Sequence, residues 1–277
     1  MATTNVASGS FPPVTYAIHR AETRKALLMQ AAFDRIGFDL DAVAQGYTSV
    51  PRVLVGSLPP DLDRLDAMDA RKTLFLRLLL PVVLHVNEQI GADRQRLLAI
   101  RAKMAGGTPL SADEVQWVLA LADAYDQPDA EIDALLKKVD VVPPSMALAQ
   151  AIEESGWGTS RIARQNNAVF GQFGQVASGD WDYRNFASLT EAVASYARNL
   201  NTHRAYREFR QARARMRAHD GELDAWELAS SLHRYSERGD DYVQSLRSIM
   251  RDNRLEAFDT ARLNRRRVAT IVASLDQ

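Results

Sequence analysis

The chain has no cysteine. This excludes a disulfide framework, a thiolate metal site and a cysteine nucleophile. It leaves the compartment open, because proteins of oxidising compartments also do without the residue. An excess of charge is missing too: 34 Lys and Arg stand against 35 Asp and Glu, a formal net charge of −1. Bulk attraction to nucleic acid needs surplus basic side chains to neutralise phosphate, so no nucleic-acid partner is expected. A long apolar run is also absent. The most apolar stretch, Leu74 to Val86, falls short of the roughly 20 residues that cross a bilayer. Arg77, Pro81 and His85 interrupt it. It reads as a buried helix kinked or broken at Pro81, and no transmembrane segment is expected. The opening residues, MATTNVASGSFPPV, lack the basic and apolar regions of a signal peptide, so none is expected in this chain. The five histidines, His19, His85, His203, His219 and His233, show no H-x-x-x-H spacing. Neither a metal nor a cofactor is expected.

What is present suits a mainly α protein with a small β element. Its 277 residues fit one large domain or two small ones. Residues 1 to 15 look like a loose arm. A helical pattern runs from Tyr16 to Asp41, with Gly37 ending or loosening it. Val50 to Pro60 reads as an extended, partly buried connector. One or two long helices cover Asp69 to Met104. Ser111 and Glu114 have capping-box spacing and start another helix. Pro128 and Asp129 open the next, and Pro144 suits the first turn of a helix over Ser145 to Glu154. A Gly-rich break (155–158) and a short helix (160–165) follow. The stretch from Asn166 to Ser188 has hairpin character, with Phe170, Phe173, Trp181, Tyr183 and Phe186 flanking a turn. Helical patterns return over 189–201, 205–218, 224–233, 242–252 and 257–275. The arginines between Arg204 and Arg217 read as solvated helix faces.

The chemistry concentrates in PPSMALAQAIEESGWGTSRIARQNNAVFGQF, residues 143–173. An apolar helix ends in Glu153 and Glu154, directly before the turn Ser155-Gly156-Trp157-Gly158. Successive helical residues sit about 100° apart, so the two carboxylates cannot share one environment. A carboxyl held at the end of a buried helix beside Trp157 is partly desolvated. Desolvation raises its pKa and makes it a usable general acid near neutral pH. The plain alternative is a helix-end carboxylate paired with Arg161 or Arg164.

A helix ending in ALAQAxxESGWGTSxxA, followed by NN-x-FGQ, resembles the glucosaminidase family of peptidoglycan hydrolases. The likeness is to its Bax-like branch, in glycoside hydrolase family 73. The stretches VPRVLVGSLPPDL, NFASLTEAVASYARNLNTHRAYREFRQAR and LHRYSERGDDYVQSLRSIMRDNRL support it. The resemblance implies a goose-lysozyme-like α+β fold and cleavage of β-1,4 bonds beside N-acetylglucosamine. It implies a lysozyme-like domain over 141–256, behind an N-terminal helical region (1–140) packed on it and before a C-terminal helical tail (257–277). It also implies a bacterial periplasmic or envelope location and a peptidoglycan or N-acetylglucosamine-containing partner; a monomer is expected.

The family's catalytic Glu falls on Glu154. Asn166, Asn167, Phe170 and Gly171 match its cleft-lining loop. Tyr235 falls where the family carries a tyrosine facing the acid, and Tyr242 is a further candidate. Trp157, Trp181 and Tyr183 are candidate sugar-binding aromatics. One departure stands out. Many members carry a second Glu on the hairpin, whereas GQVASGDWDYRNF offers only Asp180 and Asp182. Three readings therefore stay open: an endo-β-N-acetylglucosaminidase, a non-catalytic glycan-binding module, and a lytic transglycosylase. For the first, inverting, retaining and substrate-assisted routes also stay open.

Overall fold

The computed structural model describes residues 25–175, 179–219 and 221–265. Among them are eleven α-helices and one antiparallel hairpin. The first half holds α1 (Lys25–Arg35), α2 (Leu40–Ala44), α3 (Met68–Ala105), α4 (Ala112–Ala124) and α5 (Ile132–Lys138). Next come α6 (Pro144–Ser155), α7 (Arg161–Asn166), β1 (Phe173–Gln175) and β2 (Trp181–Tyr183). The chain continues through α8 (Leu189–Thr202), α9 (Arg207–His219), α10 (Ala225–Ala229) and α11 (Asp240–Asp252). The fold is thus mainly α with a small β-hairpin, as the sequence predicts. The arm at residues 1–15 lies outside the described residues.

Most boundaries have a local cause. Ser111 and Glu114 form the expected capping box of α4, and Ser160, Ser188 and Asp224 cap α7, α8 and α10. α3 runs unbroken through Pro81. The proline deletes one helical hydrogen bond, but Leu78, Leu79, Leu80 and Val82 around it are fully buried, and their packing keeps the helix continuous. By length and composition α3 is long and apolar enough to cross a membrane, and 67% of its most apolar window is buried inside this molecule.

α6 is the central helix. Every residue from Pro144 to Ile152 is buried, and α3, α10, α11 and a 3-10 turn at Leu255–Phe258 pack around it. Its N-cap residue, Pro143, has no side chain able to cap. Asp259 supplies the cap from far along the chain. It accepts the Ser145 N–H at 2.8 Å and the Ser145 hydroxyl at 2.7 Å. Burial, opposed by these two bonds, pushes the Asp259 carboxyl up to about 6. At the other end Gly156 takes the left-handed conformation, φ +57°, and stops the helix beside Glu154.

Three expectations need correction. The C-terminal pattern is not helical from Ala257 within the described residues. After the 3-10 turn the chain extends, and Leu263 forms a parallel bridge with Val50. The Val50 N–H donates to the Arg262 carbonyl, and the Asn264 N–H donates back to the Val50 carbonyl, both at 2.9 Å. Pairing with the connector satisfies backbone groups that a helix would have satisfied internally. The remainder of that tail, from residue 266, lies outside the described residues. The helix at 224–233 shortens to α10 and a 3-10 turn over Ser230–Leu232. The arginines of α9 are not all solvated: Arg210 and Arg213 are buried. Arg213 donates to four carbonyls, those of Lys137, Lys138, Asp140 and Val141, and to the Asn201 amide oxygen. It thereby caps the open end of α5 and joins it to α8 and α9. One buried cluster holds Phe33, Phe75, Leu148, Tyr196 and Leu246. The first helices and the α6–α11 segment therefore share a core.

Candidate active site

The last turn of α6 presents two carboxylates in two environments. Glu153 pairs with Arg238 at 2.5 Å and accepts the Ser245 hydroxyl at 2.8 Å. Glu154 is half-buried, and no ion pair engages it among the described residues. Arg164 instead pairs with Asp63 at 2.8 Å, and Arg161 donates to Gln165 at 3.2 Å. Burial raises the Glu154 pKa, and the charge of Glu153 adds to the rise. The Tyr242 hydroxyl and the Arg238 charge oppose it. The net direction is upward, as a general acid needs.

Gly171 closes one side of this carboxyl. Its φ is +60°, and a methyl placed there would meet Glu154 Oε2 at 2.7 Å. Only glycine lets the backbone pass so close in this conformation. The residue before it, Phe170, is buried and stacks flat on Tyr196, with centroids 3.9 Å apart. The Phe170 carbonyl accepts the Tyr235 hydroxyl at 3.1 Å. Tyr235 in turn stacks on Tyr242, with centroids 5.5 Å apart.

The two candidate tyrosines therefore do different things. Tyr235 feels the Glu154 charge but gives its proton to the Phe170 carbonyl. The Tyr242 oxygen instead accepts the Gln150 amide at 3.1 Å. Burial, first among several causes, pushes both phenols up, so both remain proton donors at any ordinary pH.

Three residues that sequence reasoning did not select complete the surroundings. Gln150, fully buried, donates to the Tyr242 oxygen at 3.1 Å and accepts the Tyr196 hydroxyl at 2.6 Å. Tyr206 lies 5.9 Å from Tyr235, ring to ring, and also feels the Glu154 charge. A signal for Gln150 exists: it is an amide among apolar positions, one helical turn before Glu154 on the same face.

The other predicted residues fall into two groups. Asn166 and Asn167 brace the loop. The Phe186 N–H donates to the Asn166 carbonyl at 2.9 Å, and the buried Asn167 amide, at φ +54°, donates to the Phe186 carbonyl at 2.9 Å. Trp157 faces α3, edge-on to Phe75 at 5.9 Å with the Lys72 ammonium 4.9 Å over its ring. On the hairpin Phe173 pairs with Tyr183, Gly174 with Asp182 and Gln175 with Trp181. Phe173, Trp181 and Tyr183 share one face by this register and form ring contacts at 6.2 and 5.4 Å. They are 57%, 70% and 40% exposed. Asp180 is exposed beside the turn. Asp182 is exposed too and accepts the Tyr183 N–H at 2.6 Å. No hydrogen bond or ion pair joins Asp182 to Glu154 among the described residues. No cluster of three or more His, Asp or Glu among those residues is arranged to hold a metal ion.

Residues 130–255 match the glucosaminidase family, described as mannosyl-glycoprotein endo-beta-N-acetylglucosaminidase. The chain is 34% identical over 206 residues to Protein bax of Escherichia coli, covering 70% of this chain and 74% of that protein. A solved structure, the catalytic domain of the autolysin Auto from Listeria monocytogenes, aligns over 58% of this chain and 96% of its own. Its identity is 17% and its TM-score 0.34, too low to equate the two folds. With a relative this similar over most of both sequences, the chain belongs to the Bax-like branch of the glucosaminidase family of peptidoglycan hydrolases.

Proposed function

We propose that the protein cleaves the β-1,4 bond beside N-acetylglucosamine in peptidoglycan, with Glu154 as general acid, and that it works in the bacterial cell envelope. The observation that carries the reading is the Glu154 environment. One carboxyl stands half-buried, with no ion pair among the described residues and the Gly171 backbone close against it, while its neighbour Glu153 is neutralised by Arg238. Such a group keeps its proton long enough to give it to a glycosidic oxygen as the bond to the anomeric carbon breaks.

The second group is the open chemical question. Asp182 directs one oxygen to the Tyr183 backbone N–H. A substrate-assisted route needs no second carboxylate. The sugar's N-acetyl oxygen attacks the anomeric carbon, and Glu154 protonates the departing oxygen. Water then opens the cyclic oxazolinium ion, and the Glu154 carboxylate accepts that water's proton.

Purified peptidoglycan supplies the test. Wild type should release new reducing ends at N-acetylglucosamine. Glu154→Gln should lower that release by about 10²–10⁴-fold, the usual contribution of a general acid. Retained activity in Glu154→Gln would overturn the assignment. Product masses separate the remaining readings. Hydrolysis adds a water, a lytic transglycosylase leaves anhydro sugars, and a binding module leaves the polymer intact.

A further inference from the structure

The turn that ends α6 is strained, and the first half of the chain grips it. Gly156, Trp157 and Gly158 follow one another at φ +57°, +60° and +74°. Glycine takes this conformation freely, whereas a residue with a Cβ is strained in it. Such a residue stays there only where its surroundings over-determine it. Trp157 is the bulkiest of the five non-glycine residues at positive φ among the described residues. Its side chain must therefore be held from outside the turn.

The hold comes from α3 and the connector ahead of it. Phe75, fully buried on α3, meets the indole edge-on at 5.9 Å. Lys72, one turn earlier on the same helix, places its ammonium 4.9 Å over the ring. That ammonium is itself fixed. It donates to Asn253 Oδ1 at 3.1 Å, at the C-terminal end of α11, where free helix carbonyls favour a cation. Gly158 adds a second point of contact. A methyl placed there would meet Leu62 and Phe75 at 2.8 Å, so the backbone lies directly against the first half of the chain.

The hold reaches the acid through the backbone. The Trp157 N–H donates to the Ile152 carbonyl at 3.3 Å, and Glu154 lies within the loop that this bond closes. Gly171 bounds the carboxyl on another side, with room for no more than a hydrogen beside Oε2. A turn that shifted would carry Glu154 out of this fixed slot. The sequence offers Trp157 as a sugar-binding aromatic, but the ammonium covers one face of its ring and Phe75 meets its edge.

We propose that Lys72 is a positioning residue: tied to Asn253, its ammonium pins the Trp157 ring and thereby fixes the turn that carries Glu154. The proposal rests on Glu154 being the catalytic acid.

Lys72→Met keeps most of the stem and removes the charge, and Lys72→Arg restores a cation that can lie over an indole. Thermal melts establish that each variant is folded at the assay temperature. Two readouts follow. The first needs no turnover. The chain has four tryptophans, and the indole N–H signal of Trp157 in a nitrogen-proton NMR spectrum is identified by its loss in Trp157→Phe. Lys72→Met should move that signal, and Lys72→Arg should return it towards its wild-type position. The second is kinetic, on soluble glycan strands prepared from peptidoglycan. Lys72→Met should lower kcat by about two- to fivefold, the equilibrium factor that a partly exposed cation–π contact supports, with KM unchanged. Lys72→Arg should recover most of that loss.

An unmoved Trp157 signal in Lys72→Met would overturn the proposal, as would a wild-type kcat or an equal loss in both Lys72 variants. A raised KM at constant kcat would also overturn it and make the ring a sugar contact. All of these results leave the Glu154 reading standing. Undiminished turnover in Glu154→Gln would instead remove that reading, and with it the basis of this one.

Discussion

A carboxyl whose pKa is raised by burial holds its proton more tightly in the folded chain than in the unfolded one, so stability falls as pH rises past the ordinary carboxylate range. Glu154 is such a group, with burial the largest cause and the Tyr242 hydroxyl opposing it. Glu154→Gln removes the ionisation. The variant is expected to melt above wild type at pH 7, with the gap closing below about pH 4, the ordinary value for a glutamate. Thermal melts at the two pH values check this, and equal gaps at both would contradict it. Gly171 is the second residue whose identity is dictated by the site. Gly171→Ala places a methyl 2.7 Å from Glu154 Oε2 at φ +60°. Strain at such a position costs about 1–2 kcal/mol. A displaced acid loses on the order of 10²-fold in rate. Kinetics and a melt of Gly171→Ala read both quantities, and a wild-type kcat would show that the contact is not needed.

At the scale of the element, the hairpin and α6 are opposites. α6 is buried on nearly every side, and its ends are set by Asp259 and Gly156. The hairpin is two three-residue strands with an aromatic face left to solvent. An isolated two-stranded ribbon is marginal in water, and we propose that its exposed aromatic face meets the glycan. Stacking on sugar rings suits it, since an aromatic face offers area at little cost in side-chain entropy. Trp181→Ala is expected to raise KM about tenfold with little change in kcat, the pattern of lost uniform binding. An unaltered KM would assign the face to another role.

The whole molecule is joined around Asp140, which follows α5. It pairs with Arg217 at 2.9 Å and Arg94 at 3.5 Å, and lies 3.9 Å from Arg213. These arginines come from α3 and α9, so one carboxylate ties the first half of the chain to the second. Burial alone would raise its pKa, but Arg217, Arg213 and Arg94 outweigh burial and hold it below the usual range. The sign is the reverse of Glu154. Its stabilisation is complete above the ordinary aspartate value and is lost as pH falls through the depressed one. Asp140→Asn leaves buried guanidinium groups without their shared partner, which costs about 3–5 kcal/mol. Denaturant titration at pH 7 should show that loss, and the gap should narrow by pH 3. A gap independent of pH would mean that charge is not what the residue contributes.

Taken alone, the sequence determined what depends on near neighbours. Apolar spacing at three and four residues places most helices, Ser111 with Glu114 announces a capping box, and Gly156 after a helical run marks a left-handed stop. These signals are local because a helix satisfies its backbone within four residues. The Glu-Ser-Gly-Trp-Gly segment singles out Glu154 over Glu153 only through its resemblance to the family motif, since both carboxylates end the same apolar helix. Tertiary structure decided which groups meet. Gln150 and Tyr242 are 92 positions apart, and Ser145 and Asp259 are 114 apart. No periodicity encodes such partners. The same reason explains why Arg213 reads as solvated in an arginine-rich helix yet lies buried, and why the segment after Phe258 extends along Val50. A buried polar group is stable only where distant chain supplies its partners, and those partners are chosen by packing of the whole molecule.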